Sequence, residues 1–293
     1  MQRGETVDDR FIVERWVASG GMGAVYRARD RSSGAPIALK VLTVRSREHT
    51  ARFVREAEVL SRFRDPGVVA HIAHGELPGG DAYLATEWLD GGTLAELLAK
   101  RRLSCEEALG LLRHAAKALG NAHAQRLVHR DVTPRNLFVC RGGDVPLKVL
   151  DFGLVRVLDQ AGALTRTGVG LGTPGYLSPE QLAGDRDLDA RGDVFALGCV
   201  AYECIAGTPP FGAGDPVQIM RRTMFDVPPP FGPSLAVPPP VSELIGRMLA
   251  RDPDDRPRDG AEVSARMTEL FRMIRKRLGI DRAMVRRDRA GSY

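Results

Sequence analysis

The apolar pattern of the chain changes its period once, near Leu89-Asp90-Gly91-Gly92, and that change restricts the fold more than any other feature. Before it, short strand-like runs are separated by turn residues: Phe11–Val17, Ala24–Arg29 after a glycine-rich turn, Ile37–Leu42 after Ser33-Gly34, then runs near Val68–Gly75 and Ala82–Glu87. Between the third and fourth runs, Phe53, Ala57 and Leu60 recur at helical spacing over Ala51–Phe63. Beyond it, helical spacing dominates at Leu94–Lys100, Cys105–Gln125, Val194–Ala206, Val217–Met224, Val241–Ala250 and Gly260–Leu278. The expectation is an α+β, bilobal chain, with a five-stranded antiparallel sheet and one helix over about 11–87 and a mainly helical lobe over about 88–271. A length of 293 residues, where single cores begin to divide, suits two lobes sharing an interface. The stretch from about His129 to Glu180 reads as irregular and too long for an idle connection, so function is expected there. Val227–Pro240 reads as an extended surface connector.

Charge and cysteine usage narrow the function classes. The net charge is +5, but residues 272–293 hold eight Lys/Arg and two Asp/Glu, so a basic tail carries +6 and the body −1. A body without excess positive charge does not support a global attraction to nucleic acid, any polyanion or membrane-surface affinity is assigned to the tail, and no nucleic-acid partner is expected. Cys105, Cys140, Cys199 and Cys204 show no CxxC spacing, and the opening MQRGETVDDRF lacks a signal-peptide apolar stretch. The longest apolar run, Val194–Ala206, is interrupted by Glu203 and too short to span a bilayer, so no transmembrane segment and a cytoplasmic location are expected.

Taken alone, Ser19-Gly20-Gly21-Met22-Gly23 fits a hairpin turn as well as a phosphate-approaching loop. It is followed in order by Ile37-Ala38-Leu39-Lys40, a Glu56 in the next helix, His129-Arg130-Asp131 with Asn136 beyond it, and Asp151-Phe152-Gly153. That ordered set is the protein-kinase signature. From about Phe11 to Leu270 the chain resembles the bacterial eukaryotic-like serine/threonine protein kinases, with further matches at Gly172 to Glu180, at Asp193 and at Arg256.

The resemblance implies ATP and Mg²⁺ as cofactors and a catalytic domain over 11–271, followed by the basic tail at 272–293. It places the nucleotide against Val17, Ala18, Ser19, Gly20, Gly21, Met22 and Gly23, with Val25 and Ala38 above the adenine and Phe138 below. Glu87 and Leu89 would bond it through their backbone, and Thr86 would guard the rear pocket. Lys40, oriented by Glu56, would hold the α- and β-phosphates, and Asn136 and Asp151 would offer the oxygen ligands that Mg²⁺ favours. Asp131 would accept or orient the proton of the attacking hydroxyl. Asp193 is expected to anchor the backbone of the His129-Arg130-Asp131 loop, and Glu180 with Arg256 to form a buried ion pair.

Two positions depart from the family pattern. Ala18 replaces the first glycine of the turn, and Thr133 stands where serine/threonine kinases carry a lysine. Arg135, beside Asn136, is expected to supply the lost charge, as in the similar loop of tyrosine kinases. Thr173 in Gly172-Thr173 resembles the serine/threonine class, in which it bonds the catalytic Asp. Thr165 and Thr167 match the autophosphorylated threonines of bacterial kinases, with Arg130 and Arg156 as receiving cations. The implied partners are protein substrates with Ser or Thr, and a second copy of the chain for autophosphorylation. The alternative is a pseudokinase or nucleotide-binding interaction module with little turnover, motivated by Thr133 and Ala18.

Overall fold

The computed structural model describes residues 1–20, 23–42, 50, 53–54, 57–58, 61–142, 144–150, 174–185 and 187–278. Strands β2 (Phe11–Gly20) and β3 (Gly23–Asp30) form the first hairpin, with Gly20 opposite Gly23. A two-residue β1 (Thr6–Val7), β4 (Pro36–Leu42), β5 (His71–Glu76) and β6 (Ala82–Glu87) complete a six-stranded antiparallel sheet in the order β1-β2-β3-β4-β6-β5. Five strands are expected from sequence; β1 is too short to show a period. Val68 lies outside β5 and makes an isolated parallel bridge to Val149.

Alternation along the strands gives this sheet two different faces. Ile37, Leu39, Tyr83 and Ala85 turn one way and pack with Phe11, Val13 and Ala28. Leu42, Ala82 and Leu84 turn the other way, against Phe53 and Ala57. Those two residues belong to α1, of which residues 50, 53–54, 57–58 and 61 are described and helical. The i, i+4 spacing of Phe53 and Ala57 is what puts both on the sheet.

A second, three-stranded sheet lies in the larger lobe: β7 (Gly91–Thr93), β8 (Leu137–Cys140) and β9 (Leu147–Val149). It corrects the expectation of an unbroken irregular zone from His129 to Glu180. Strands of four and three residues carry too few alternations to register in sequence. Gly91 sits where the chain passes from one lobe to the other, at φ +146°, and a Cβ there would lie 2.1 Å from the Val139 carbonyl oxygen.

The helices of this lobe are α2 (Leu94–Leu98), α3 (Cys105–His123), the short α4 (Pro179–Leu182), α5 (Ala190–Ala206), α6 (Pro216–Phe225), α7 (Pro239–Met248) and α8 (Gly260–Arg277). All but α4, which has no expected counterpart, lie within a few residues of their expected spans. α5 begins before Val194 because Asp189 accepts from the Arg191 N–H, and it ends at Gly207 with φ +85°. Buried residues surround α5 on every side, so it forms the axis of the lobe. α3 and α8 cross closely at Gly120 and Gly260, where a Cβ on Gly260 would stand 2.5 Å from the Ala116 carbonyl oxygen. Among the described residues no helix is long and apolar enough to cross a membrane.

Gly91→Ala should destabilise the chain by about 1–3 kcal/mol for the strained backbone, with the clash against Val139 added. Gly142→Ala, at φ +82° with open space around it, carries the backbone term alone. Thermal denaturation of the two variants should therefore show the larger drop at Gly91.

Candidate active site

The register of the first sheet assembles one wall of the site. Val25 pairs with Lys40 and Lys40 with Leu84, while Ala38 pairs with Thr86. Directly opposed residues share a face, so Val25, Ala38, Lys40 and Thr86 line one surface of three neighbouring strands. Gly23 closes the hairpin at φ +142°, and a Cβ there would sit 1.9 Å from the Val41 carbonyl oxygen, so only glycine fits. Ala18 pairs with Val25 inside the ladder, in extended backbone that any residue adopts. Val17 and Ser19 flank it on β2.

The chain leaves this wall through Glu87, Trp88 and Leu89. The Glu87 N–H donates to the Ala70 carbonyl at 2.9 Å. Its carboxylate accepts from the Ala70 N–H at 2.8 Å and from the Lys148 ammonium, which ties the connection to β9. Trp88, which sequence reasoning passed over, lies under two guanidinium groups, with Arg15 at 5.6 Å and Arg27 at 5.3 Å from its ring. Phe138, half-buried on β8, pairs with Thr93 and with Lys148.

A polar network fixes the loop from His129 to Asn136. His129 is fully buried; its Nδ1 accepts the Asp131 N–H at 3.2 Å, so its Nε2 carries the hydrogen and donates to the Leu150 carbonyl at 2.7 Å. Arg130 adopts φ +65°, a left-handed conformation that costs a non-glycine residue energy. The Asp193 carboxylate holds it there, accepting the His129 N–H at 2.6 Å and the Arg130 N–H at 2.7 Å. His123 Nε2 lies 3.0 Å from the same carboxylate, and its Nδ1 accepts the Gly260 N–H at 3.1 Å. Burial alone would raise the pKa of Asp193, but the hydrogen bond from His123 and the contacts with His129 outweigh it and hold the carboxyl below its ordinary value.

Asp131 projects beyond this anchor. The Asn136 side-chain amide donates to the Asp131 carbonyl and to its Oδ2, both at 2.8 Å, and the Asn136 backbone carbonyl accepts the Leu150 N–H. Thr133 is buried, whereas Arg135 is exposed two residues on. Arg256 closes the far side with a bidentate pair to Glu180 at 2.7 and 2.9 Å and further bonds to the carbonyls of Ala250, Arg191 and Arg251. Gln181 of α4 donates to the Arg130 carbonyl at 3.1 Å. Gly21, Met22, Glu56, Asp151, Arg156, Thr165, Thr167 and Thr173 lie outside the described residues. His123 and Gln181 went unassigned in sequence because nothing local marks a side chain whose partner lies 50 or more positions away.

Residues 11–268 match the family model for the protein kinase domain. The chain belongs to the protein kinase family. PknL, a serine/threonine-protein kinase of Mycobacterium tuberculosis, is 38% identical over 273 residues, covering 90% of this chain and 67% of PknL. PknA of the same organism is 37% identical, covering 88% of this chain and 60% of PknA. The kinase pkn3 of Myxococcus xanthus is 35% identical, covering 96% of this chain and 53% of its own length. The crystal structure of the M. tuberculosis PknI kinase domain superposes with a TM-score of 0.71 at 29% identity, covering 92% of this chain and 98% of that one. The chain is thus a kinase domain of the serine/threonine class, and it spans about two thirds or less of the length of these relatives.

The Arg256 side chain is fully buried, so Arg256→Ala would strand the Glu180 carboxylate and should cost on the order of 3–5 kcal/mol. Chemical denaturation reads this directly. Because the folded pKa of Asp193 is depressed, its contribution is present above the ordinary aspartate value of about 3.9 and is lost as pH falls through the folded value. The stability gap between wild type and Asp193→Asn should therefore narrow below about pH 4.

Proposed function

We propose that the domain transfers the γ-phosphoryl group of ATP to Ser and Thr hydroxyls of protein substrates. The observation that carries this reading is the Asp131 carboxylate, fixed by the Asn136 amide on a loop whose backbone is pinned to α5 through Asp193. A base held in advance of its substrate loses little freedom when the hydroxyl arrives, and phosphoryl transfer depends chiefly on such positioning and on charge neutralisation.

Asp131 accepts or orients the proton of the incoming hydroxyl. Lys40, on the wall with Val25, Ala38 and Thr86, takes the α- and β-phosphates, and Glu56 orients it. Arg135 supplies the cation that Thr133 lacks, its exposed side chain beside the metal-binding Asn136. Thr173 bonds Asp131 and selects small hydroxyls. The residues also fit Mg²⁺: the Asn136 amide nitrogen is committed to Asp131, which leaves its oxygen as a hard ligand, with Asp151 as the second. When bound there, Mg²⁺ supplies charge neutralisation at the phosphate oxygens. Phosphorylation at Thr165 or Thr167, by a second copy of the chain, gives Arg130 an anionic partner and activates the enzyme. The setting is bacterial signal transduction in the cytoplasm, with the basic tail of 272–293 outside the catalytic domain.

Purified chain given radiolabelled ATP and Mg²⁺ should label itself on threonine, with Thr165 or Thr167 among the mapped sites, and Asp131→Asn should not. ATP binding without label in either protein would favour a nucleotide-binding module instead. Arg135→Ala should lower turnover by about 10²–10³ if it stabilises the transferring group; unchanged turnover would remove it from the mechanism.

A further inference from the structure

The edge strand β5 carries two histidines on the α1 side of the sheet. In a regular strand residues 71 and 74 would face opposite ways. The register slips between His71 and Ala73, so that His71 pairs with Thr86 and His74 with Leu84, two positions apart on β6. The irregularity brings both rings to the face that Leu84 and Thr86 share with Lys40 and Ala38 one strand further on.

There the rings touch each other and the helix. His71 Nε2 lies 2.8 Å from His74 Nδ1, with the rings edge to face at 4.9 Å. On its other side the His74 ring faces α1, with Nε2 3.7 Å from Glu58 Oε2 and the Val54 backbone close by. Turned toward the Glu58 carboxylate, which only accepts, His74 Nε2 carries the hydrogen; Nδ1 is then bare and accepts from His71 Nε2. Burial, followed by the neighbouring His74 and Arg64, pushes His71 down to about 4, and burial lowers His74 against the pull of Glu58, so both rings are neutral near pH 7.

Apolar contact holds α1 to the sheet through Phe53 and Ala57, but such contact is non-directional and does not by itself stop a helix sliding or turning. We propose that His74 is a positioning residue: held at Nδ1 by His71, it locks α1, the helix to which the sequence assigns Glu56, to the strands forming the rear wall of the nucleotide site. The chain of contacts runs from Thr86 across the ladder to His71, then to His74, then to Glu58 of α1. This rests on the proposed role of Glu56 toward Lys40.

The test is kcat and KM for ATP, with casein as acceptor and thermal midpoints measured alongside. His74→Leu should lower kcat about tenfold or more with little change in KM, since α1 carries none of the residues assigned to adenine. His71→Leu should move the same way, and His71→Gln, which keeps an N–H donor near the place of Nε2, should restore activity. Glu58→Ala alters an exposed residue and keeps the question open should His74→Leu not fold; it too should lower kcat, whereas Arg62→Ala, which removes a neighbour of Glu58 on the helix itself, should not. Lower thermal midpoints with wild-type kcat in His74→Leu and Glu58→Ala would overturn the proposal. Glu56→Gln separates the two layers: full activity there sinks the assignment of Glu56 and this proposal with it. Loss of activity there beside wild-type kcat in the histidine variants sinks the proposal alone.

Discussion

A single buried carboxylate organises the catalytic half of the molecule. Asp193 keeps its charge inside the core because the His129 N–H, the Arg130 N–H and His123 Nε2 converge on its two oxygens. Those bonds hold Arg130 left-handed, and the turn so produced sends Asp131 outward toward Asn136. The Arg256 guanidinium reaches the same first turn of α5 through the Arg191 carbonyl while gripping Glu180. One helical turn thus holds the loop of the base on one side and, through Arg256, α4 on the other.

The two lobes solve the problem of precision differently. In the helical lobe, charge-assisted hydrogen bonds with little exposure to water fix the loop backbone in one arrangement. In the smaller lobe, ladder register does that work, placing Val25, Lys40, Ala38 and Thr86 on one face through backbone pairing. Glu87 joins the two regimes, since its carboxylate binds the Ala70 N–H of the sheet side and Lys148 of β9.

Sequence made the strands and helices legible wherever the apolar period ran for several residues, as in β4 and α3. It failed for β1 and β8–β9, whose strands are too short to alternate visibly. The candidate site divides in the same way. Lys40, Asp131 and Asn136 stand in ordered motifs, so resemblance identified them. The expected loop anchor at Asp193 and the Glu180–Arg256 pair stand in the structure as bonded groups. His123, Gln181 and the His71–His74 pair carry no local signature, because what distinguishes them is a partner across the fold or a slip in register. Asp193 is also not the cap of its own helix; Asp189 is, which leaves the Asp193 oxygens for the loop.

The setting of Trp88 has an optical consequence. The chain has two tryptophans, and the other, Trp16, is 57% exposed on β2. Trp88 stands where one lobe passes into the other, its indole bonded to Asp90 and its ring under arginines from β2 and β3. Any rotation of the sheet relative to the connection would move those two cations over the ring and change its emission. With Trp16 replaced by phenylalanine, the molecule would carry its own fluorescent gauge of lobe movement, placed by the fold beside the backbone proposed to meet the nucleotide.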